Sequence, residues 1–373
     1  DTMEELFGVS PDIGISMWVA DLDFRAPKII QEKLRGINSH GIYGYYGDHK
    51  EYNNSIKWWM KNRHNWEIDT SWIFTTHGLV NGTGLCIDAF TKPGDGIILF
   101  TPVYYQFSNL VEAARRKVVE CPLKLIDNHY HFDFVAYERN LSGDEKMVIL
   151  CSPHNPGGRV WTKNELQEVA KFAKKHDLVL VSDEIHHDLV YPNKSHTVMP
   201  IANPSVCDRL VMMTATTKTF NIAGAHSGNV IISNSNLHKK FSQRIKALGI
   251  SPNSFGLFMA TAAYSPEGAE WLDELLHYID GNRVIFDKEV SKIPGLSSMP
   301  LEGTYLAWVD FSGTGMEEEE FIYRVQEKAK IAVNHGSTFG TGGEKFLRFN
   351  LATPRTLVVE ATKRLKDAFS DLQ

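Results

Sequence analysis

Little in this sequence points to a disulfide, a membrane or a nucleic acid. Its 373 residues hold only four cysteines, Cys86, Cys121, Cys151 and Cys207, far apart and never in a CxxC pair. That usage reads as reduced, mostly buried thiols and fits a cytoplasmic location. No apolar run reaches the ~18 residues needed to span a bilayer. The opening "DTMEELFGVSPD" is acidic and lacks the basic start and apolar centre of a signal peptide. It begins on Asp rather than Met, as a chain would if an initial segment preceded it. Charge of one sign never accumulates: 39 basic against 45 acidic residues give −6, and groups such as "EAARRK" and "KFAKKH" read as solvated helix faces. Nucleic acid is set aside as a partner on that ground. Missing too are the nucleotide loops GxGxxG and GxxxxGK[ST] after any strand, the hydrolase elbow GxSxG, the metal motif HExxH, and any internal repeat.

What the chain does contain is a recurring unit of short apolar run, polar or Gly-rich elbow and amphipathic helix. "SWIFTTHGLVNGTGLCIDAF", "DGIILFTPVYYQFSNLVEAARRK" and "KMVILCSPHNPGGRVWTKNELQEVAKFAKKH" are three such units, the last with a Thr-x-x-Glu capping box at "TKNE". "DLVLVSDEIHHDLVY", "RLVMMTATTKTFNIAG" and "AHSGNVIIS" add further strands. Near-continuous Val/Ile/Leu strands between helices predict a mainly parallel α/β sheet covered on both faces. After about residue 255 the texture changes. "AEWLDELLHYIDGNRVIFDKEV" reads as a long helix bridging domains, and "GTYLAWVDFSG" and "EKFLRFNLAT" alternate like strands of a half-exposed sheet. The expectation is a large domain over residues 40–255 and a smaller α+β domain formed by 1–39 with 256–373.

In open α/β sheets ligands bind beyond the carboxyl ends of the strands. The elbows there read "TTHGLVNG", "TPVYY", "CSPHNPGG", "SDEIHHD" and "TATTKTFNIAG". Each has a plain structural explanation: a strand-to-helix turn, packing tyrosines, a Pro-flanked turn, a helix cap. His186 and His187 beside Asp183, Glu184 and Asp188 invite a metal, but adjacent histidines in extended chain point to opposite faces, so no metal is expected. Together the elbows supply what pyridoxal 5′-phosphate needs. Backbone amides and hydroxyls suit its phosphate, and an aromatic face suits its ring. A carboxylate suits its pyridine nitrogen, donors suit its phenolic oxygen, and a lysine amine suits its aldehyde.

The order and wording of these motifs resemble the fold-type-I pyridoxal-phosphate enzymes of the aminotransferase superfamily, and within it the cystathionine β-lyase and cystalysin-type carbon–sulfur lyases. The matching stretches are "MWVADLDF", "GIYGYYG", "TPVYY", "CSPHNPGGRVW", "SDEIHHDL", "KTFNIAG", "EGTYLAW" and "LRFNLA", spread over nearly the whole chain. The resemblance implies a seven-stranded sheet and a role for each matching residue. Lys218 would condense with the cofactor aldehyde, and Asp183 would pair with the pyridine nitrogen. Asn155 and His186 would bond the phenolic oxygen, and Tyr104 would stack on the ring. The backbone of Gly78, Leu79 and Val80, with the Thr217 hydroxyl, would hold the phosphate. Tyr45 would reach that phosphate from the partner subunit of a homodimer and serve catalysis. Arg348 would clamp the substrate carboxylate, with Asn155 and Ala20 beside it. The chain departs from the pattern at His226, where many aminotransferases carry Arg, and at Thr217, where lyases often carry Ser. Asn81 replaces a common proline, and Gly158 follows an already flexible Gly157.

The implied reaction is β-elimination from cystathionine, cysteine or a related β-thio amino acid, giving pyruvate, ammonia and a thiol. Lys218 would take the Cα proton, and Tyr45 of the partner subunit and Lys218 are both candidates to protonate the leaving sulfur. The rivals are an aminotransferase, a non-catalytic regulatory protein on the same fold, and a metal hydrolase built on His186 and His187.

Overall fold

The apolar runs of the first two thirds of the chain build one seven-stranded sheet in the computed structural model, which describes residues 2–372. Its strands are β1 (Ile73–Thr76), β2 (Gly96–Leu99), β3 (Lys117–Glu120), β4 (Glu145–Cys151), β5 (Val179–Asp183), β6 (Leu210–Thr214) and β7 (Gly228–Ile231). They lie in the order β1-β7-β6-β5-β4-β2-β3. Only β7 runs against its neighbours, so the other six point their carboxyl ends to one edge. Alternate residues enter different cores: Val148, Leu150, Leu180 and Met212 one, Ile149, Val181 and Met213 the other. Both faces are thus covered, as the unbroken apolar runs require. Burying each such side chain contributes about 1.5–3 kcal/mol.

The covering helices include α1 (Lys28–His40), α2 (Lys50–His64), α3 (Leu79–Phe90), α4 (Lys163–Lys175), α5 (Ser254–Ala263), α6 (Pro266–Val290) and α7 (Arg355–Ala368). α4 starts with the expected capping box, Thr162 and Glu165 each bonding the other's backbone. The long helix α6 opens on Pro266, with the Ser265 hydroxyl accepting from the Gly268 N–H. Among the described residues no helix is long and apolar enough to cross a membrane.

A second sheet of four antiparallel strands follows: β8 (Ser297–Ser298), β9 (Leu306–Asp310), β10 (Asn334–His335) and β11 (Phe346–Asn350), in the order β8-β9-β11-β10. Here the half-exposed expectation fails, because every residue of β11 and all of β9 but Asp310 is buried. One face packs on α6, where the Phe349 and Phe286 rings lie 5.4 Å apart. From the other, Arg348 and Asn350 reach the amino-terminal segment and the loop after β4.

That segment is strapped down by two side-chain amides. Asn350 donates to the carbonyls of Val19 and Asp21, both at 2.6 Å. Asn221 donates to the carbonyls of Leu22 and Phe24 and accepts from the Leu22 N–H. Residues 17–24 therefore run from the small sheet to the loop after β6.

Candidate active site

At the carboxyl edge of the large sheet lies a cavity of about 290 Å³. Ala20, Gly78, Leu79, Val80, Tyr104, Asn155, Asp183, His186, Thr217 and Lys218 line it, so most of the expected site residues converge. Arg348 and Tyr45 do not line it.

Lys218 arrives four residues after β6. Its Nζ donates to the Ala20 carbonyl at 2.6 Å and lies 3.9 Å from Asp21 Oδ1. Burial holds its ammonium below the usual lysine range, against the pull of Asp21. The amine is thereby nearer to the neutral, nucleophilic form. Asp183, the last residue of β5, is buried with one backbone donor, Ile185 N–H, at 3.1 Å. Burial pushes its carboxyl up to about 7, with Glu184 adding and Ile185 N–H and Lys218 opposing. Among the described residues no cation pairs with it.

His186 follows on a turn rather than on the extended chain expected, yet the two histidines still diverge: His186 lines the cavity and His187 does not. Burial holds His186 down at about 3, so the ring is neutral, and its Nδ1 is buried without a partner. Such an orphan nitrogen costs free energy until a ligand meets it. Tyr104 lines another wall, its ring 5.1 Å from that of Tyr105 and 5.7 Å from that of Phe107.

Arg348 sits on β11, buried, with one Nη 2.9 Å from Asn155 Oδ1 and the other donating to the carbonyl of Trp18 and to Asn334 Oδ1. All these acceptors are neutral, and burial lowers the guanidinium to about 10. A buried cation without a carboxylate is a costly arrangement, relieved when an anion arrives. Arginine only donates, so the Asn155 oxygen must face it and the Asn155 NH₂ must face away, towards the cavity.

The helix start beside the cavity is prepared for an anion. Gly78 caps α3 with φ 81° and ψ 172°, a conformation open to glycine, and no side chain fills the cap. Gly82 is the first residue to bond back, to the Gly78 carbonyl, which leaves the Leu79 and Val80 amides without intrahelical acceptors. A Cβ on Gly228 would stand 2.9 Å from the Gly78 carbonyl carbon, so glycine is what lets β7 pass the helix start. Asn81, in place of proline, accepts from the His77 N–H at 3.1 Å.

Sequence reasoning missed several contributors. His77 joins His226 on the cavity wall, with His226 in the left-handed region at φ 44°. Tyr305 donates to the Ala20 carbonyl at 2.8 Å, beside Lys218 Nζ. Trp18 and Asn334 hold Arg348. Trp18, Asp21 and Tyr305 stand in stretches already singled out, but no spacing shows that they meet. Tyr45 is fully exposed, away from the cavity.

The family model for aminotransferase class I and II matches residues 21–365. Cystathionine beta-lyase PatB of Bacillus subtilis (strain 168) is 36% identical over 373 residues, covering 99% of this chain and 96% of that protein. The crystal structure of cystalysin from Treponema denticola, which contains pyridoxal 5′-phosphate, superposes with a TM-score of 0.94 at 37% identity, over 100% of this chain and 95% of that one. The pyridoxal-phosphate-bound C–S lyase of Staphylococcus hominis with the inhibitor L-cycloserine gives 0.90 at 28% identity, over 97% and 90%.

Proposed function

Because the chain belongs to the aminotransferase class I and II family, we propose that its cavity holds pyridoxal 5′-phosphate and that the protein is a carbon–sulfur β-lyase. The observation that carries the reading is the set of groups left unsatisfied around Lys218: a carboxyl without a cation, an imidazole nitrogen without a partner, a guanidinium without a carboxylate, and two helix-start amides. The cofactor and an amino-acid substrate satisfy all four. The choice of lyase rests on the similarity to cystathionine beta-lyase, cystalysin and C–S lyase over nearly full length.

When bound, the cofactor supplies an aldehyde that condenses with amines and a protonated ring that accepts the electron pair released at Cα. Lys218 Nζ would hold the aldehyde carbon and, as the free amine, would take the Cα proton. Its burial keeps the free base accessible. Asp183 would hold the proton on the ring nitrogen. Asn155 NH₂ and neutral His186 would bond the phenolic oxygen, and Tyr104 would face the ring. The Leu79 and Val80 amides and the Thr217 hydroxyl would take the phosphate, with His77 and His226 on the same cavity wall. Arg348, joined to the cavity wall through Asn155, would orient the substrate carboxylate. In sum, a β-thio amino acid and water give thiol, pyruvate and ammonia.

Among the described residues the cavity lining carries no arginine, and its only lysine is Lys218. A substrate side chain with a second carboxylate would find no arginine there, which favours zwitterionic or neutral thio substituents such as those of cystathionine and cysteine. A homodimer is part of the reading, with Tyr45 contributing to the partner's phosphate site. Its support is the wholly exposed ring of Tyr45 beside exposed Ile42 and Tyr43. The two-domain division at residues 40 and 255 and a cytoplasmic location, supported by four free thiols, belong to the same proposal.

The test is incubation with L-cystathionine while pyruvate and free thiol are assayed. Equal amounts of both establish the lyase. Conversion of the cofactor to pyridoxamine phosphate without thiol makes the protein an aminotransferase.

A further inference from the structure

Behind the turn that carries Asp183 and His186, a second group of side chains meets. His64 from the end of α2, His187 and Asp188 bring one ligand atom each to within 4.8 Å of one another. We propose that they bind a single divalent transition-metal ion of the zinc class, through His64 Nε2, His187 Nε2 and Asp188 Oδ1.

The orientation of His187 carries the inference. Its Nδ1 faces the Glu184 carbonyl, an acceptor only, so Nδ1 bears a proton, and in the neutral ring Nε2 bears the lone pair. That Nε2 is buried, has no hydrogen-bond partner, and faces Asp188 Oδ1 at 3.4 Å. Two electron-rich atoms at that distance with nothing between them call for a cation. A ring nitrogen fixed by a backbone carbonyl on its far side is also the usual support of a metal-bound histidine.

Asp188 is held just as firmly. Its Oδ1 accepts from Trp59 Nε1 at 2.9 Å and its Oδ2 from the Thr219 hydroxyl at 3.0 Å. His64 Nε2 lies 2.8 Å from Asp188 Oδ1 and would give up one proton to the solvent as the ion binds. Metal–ligand bonds of about 2.0–2.1 Å in a tetrahedron separate ligand atoms by about 3.3 Å. The His187–Asp188 pair already has that spacing, and the His64–Asp188 pair opens by about half an ångström to reach it.

A cavity of about 190 Å³ adjoins the cluster and leaves room for a water as fourth ligand. Its cationic walls are neutralised, Arg63 by Asp273 at 3.0 Å and Lys194 by Glu302 at 2.6 Å. A metal is not expected from His186 and His187, which diverge, and His186 is not one of the three ligands. The third group comes from His64, 124 residues before Asp188. The site also touches the proposed reaction without entering it. His187 follows His186, and Thr219, bonded to Asp188, follows Lys218, so an ion here braces both walls of the cofactor cavity from behind.

The test is titration of the full-length, cofactor-loaded protein with Co²⁺, read as a difference spectrum, followed by displacement with Zn²⁺. One equivalent giving tetrahedral ligand-field bands is expected. His187→Ala and Asp188→Asn should each abolish the bands and weaken Zn²⁺ binding about 100-fold or more, since loss of a supporting residue alone costs 10–100-fold. His187→Ala removes no partner from Nε2, and circular dichroism checks that both variants remain folded. Absence of bound Co²⁺, or equal affinity in His187→Ala, overturns the proposal and leaves His64 and Asp188 as a structural pair.

Discussion

Asp183 and Asp188 stand five residues apart and are equally buried, 6% and 5% exposed, yet their carboxyls move in opposite directions. Burial raises Asp183 to about 7, because its one donor is a backbone N–H. Burial would raise Asp188 too, but His187, His64 and Trp59 reverse it and hold the carboxyl below its usual range. Depth cannot account for the difference. Partners do. Asp188 is held by an indole N–H, a hydroxyl and an imidazole of the protein, whereas Asp183, with one backbone donor, is left for a ligand to complete, as Arg348 is. A carboxyl left with a single backbone donor marks the cofactor side of the turn.

The largest effect that tests this contrast is on Lys218. Lys218→Ala should lower kcat/KM for thiol release by about 10⁴-fold or more, since both the amine and the proton transfer go. The melting temperature should hardly move, because the side chain gives up one hydrogen bond, to the Ala20 carbonyl, and a long ion pair with half-exposed Asp21. Activity within tenfold of wild type would remove the cavity from the chemistry.

Next, the two aspartates should part company. Asp183→Asn should cut kcat by about 10²–10³-fold with stability unchanged or raised. Asp188→Asn should cost about 3 kcal/mol of stability in a denaturant titration while kcat changes only a few-fold. Equal stability losses would erase the distinction between the two sides.

Arg348→Lys keeps the charge and loses the fork. The KM for cystathionine should rise about 10–100-fold with a smaller change in kcat. A fall in kcat alone would mean that Arg348 does not hold the substrate carboxylate.

The smallest effect is a pH slope. The folded carboxyl of Asp183 titrates above its unfolded value, so its contribution to stability is present below about pH 4 and is lost as pH rises towards 7. Cofactor-free wild type should therefore lose stability from pH 4 to 7 more steeply than Asp183→Asn, and cofactor should flatten the slope. Parallel slopes for the two proteins would show Asp183 to be paired already.

The parts of this design legible in the sequence are those fixed by local pattern. "LVLVSD" places Asp183 at a strand end by its apolar run alone, and Thr162 with Glu165 announces the start of α4. The role of Arg348 came only from resemblance, since one arginine in an alternating strand looks like any other. The burial of β9 and β11 was illegible because their second cover is folded in from the amino terminus. The meeting of His64 with Asp188, and the straps from Asn350 and Asn221, depend on residues more than a hundred positions away, where no periodicity reaches.

Those straps have a consequence for synthesis. The carbonyls of Trp18, Val19 and Asp21 wait for Arg348 and Asn350, about 330 residues later. At roughly 5–20 residues per second, about 15–70 s of translation separate the two. During that interval the seven-stranded sheet can form and Lys218 can emerge, but the carbonyl that receives its amine is not yet fixed. The working cavity is therefore among the last features of the molecule to exist, completed by strand β11 rather than by the sheet that supplies its lysine.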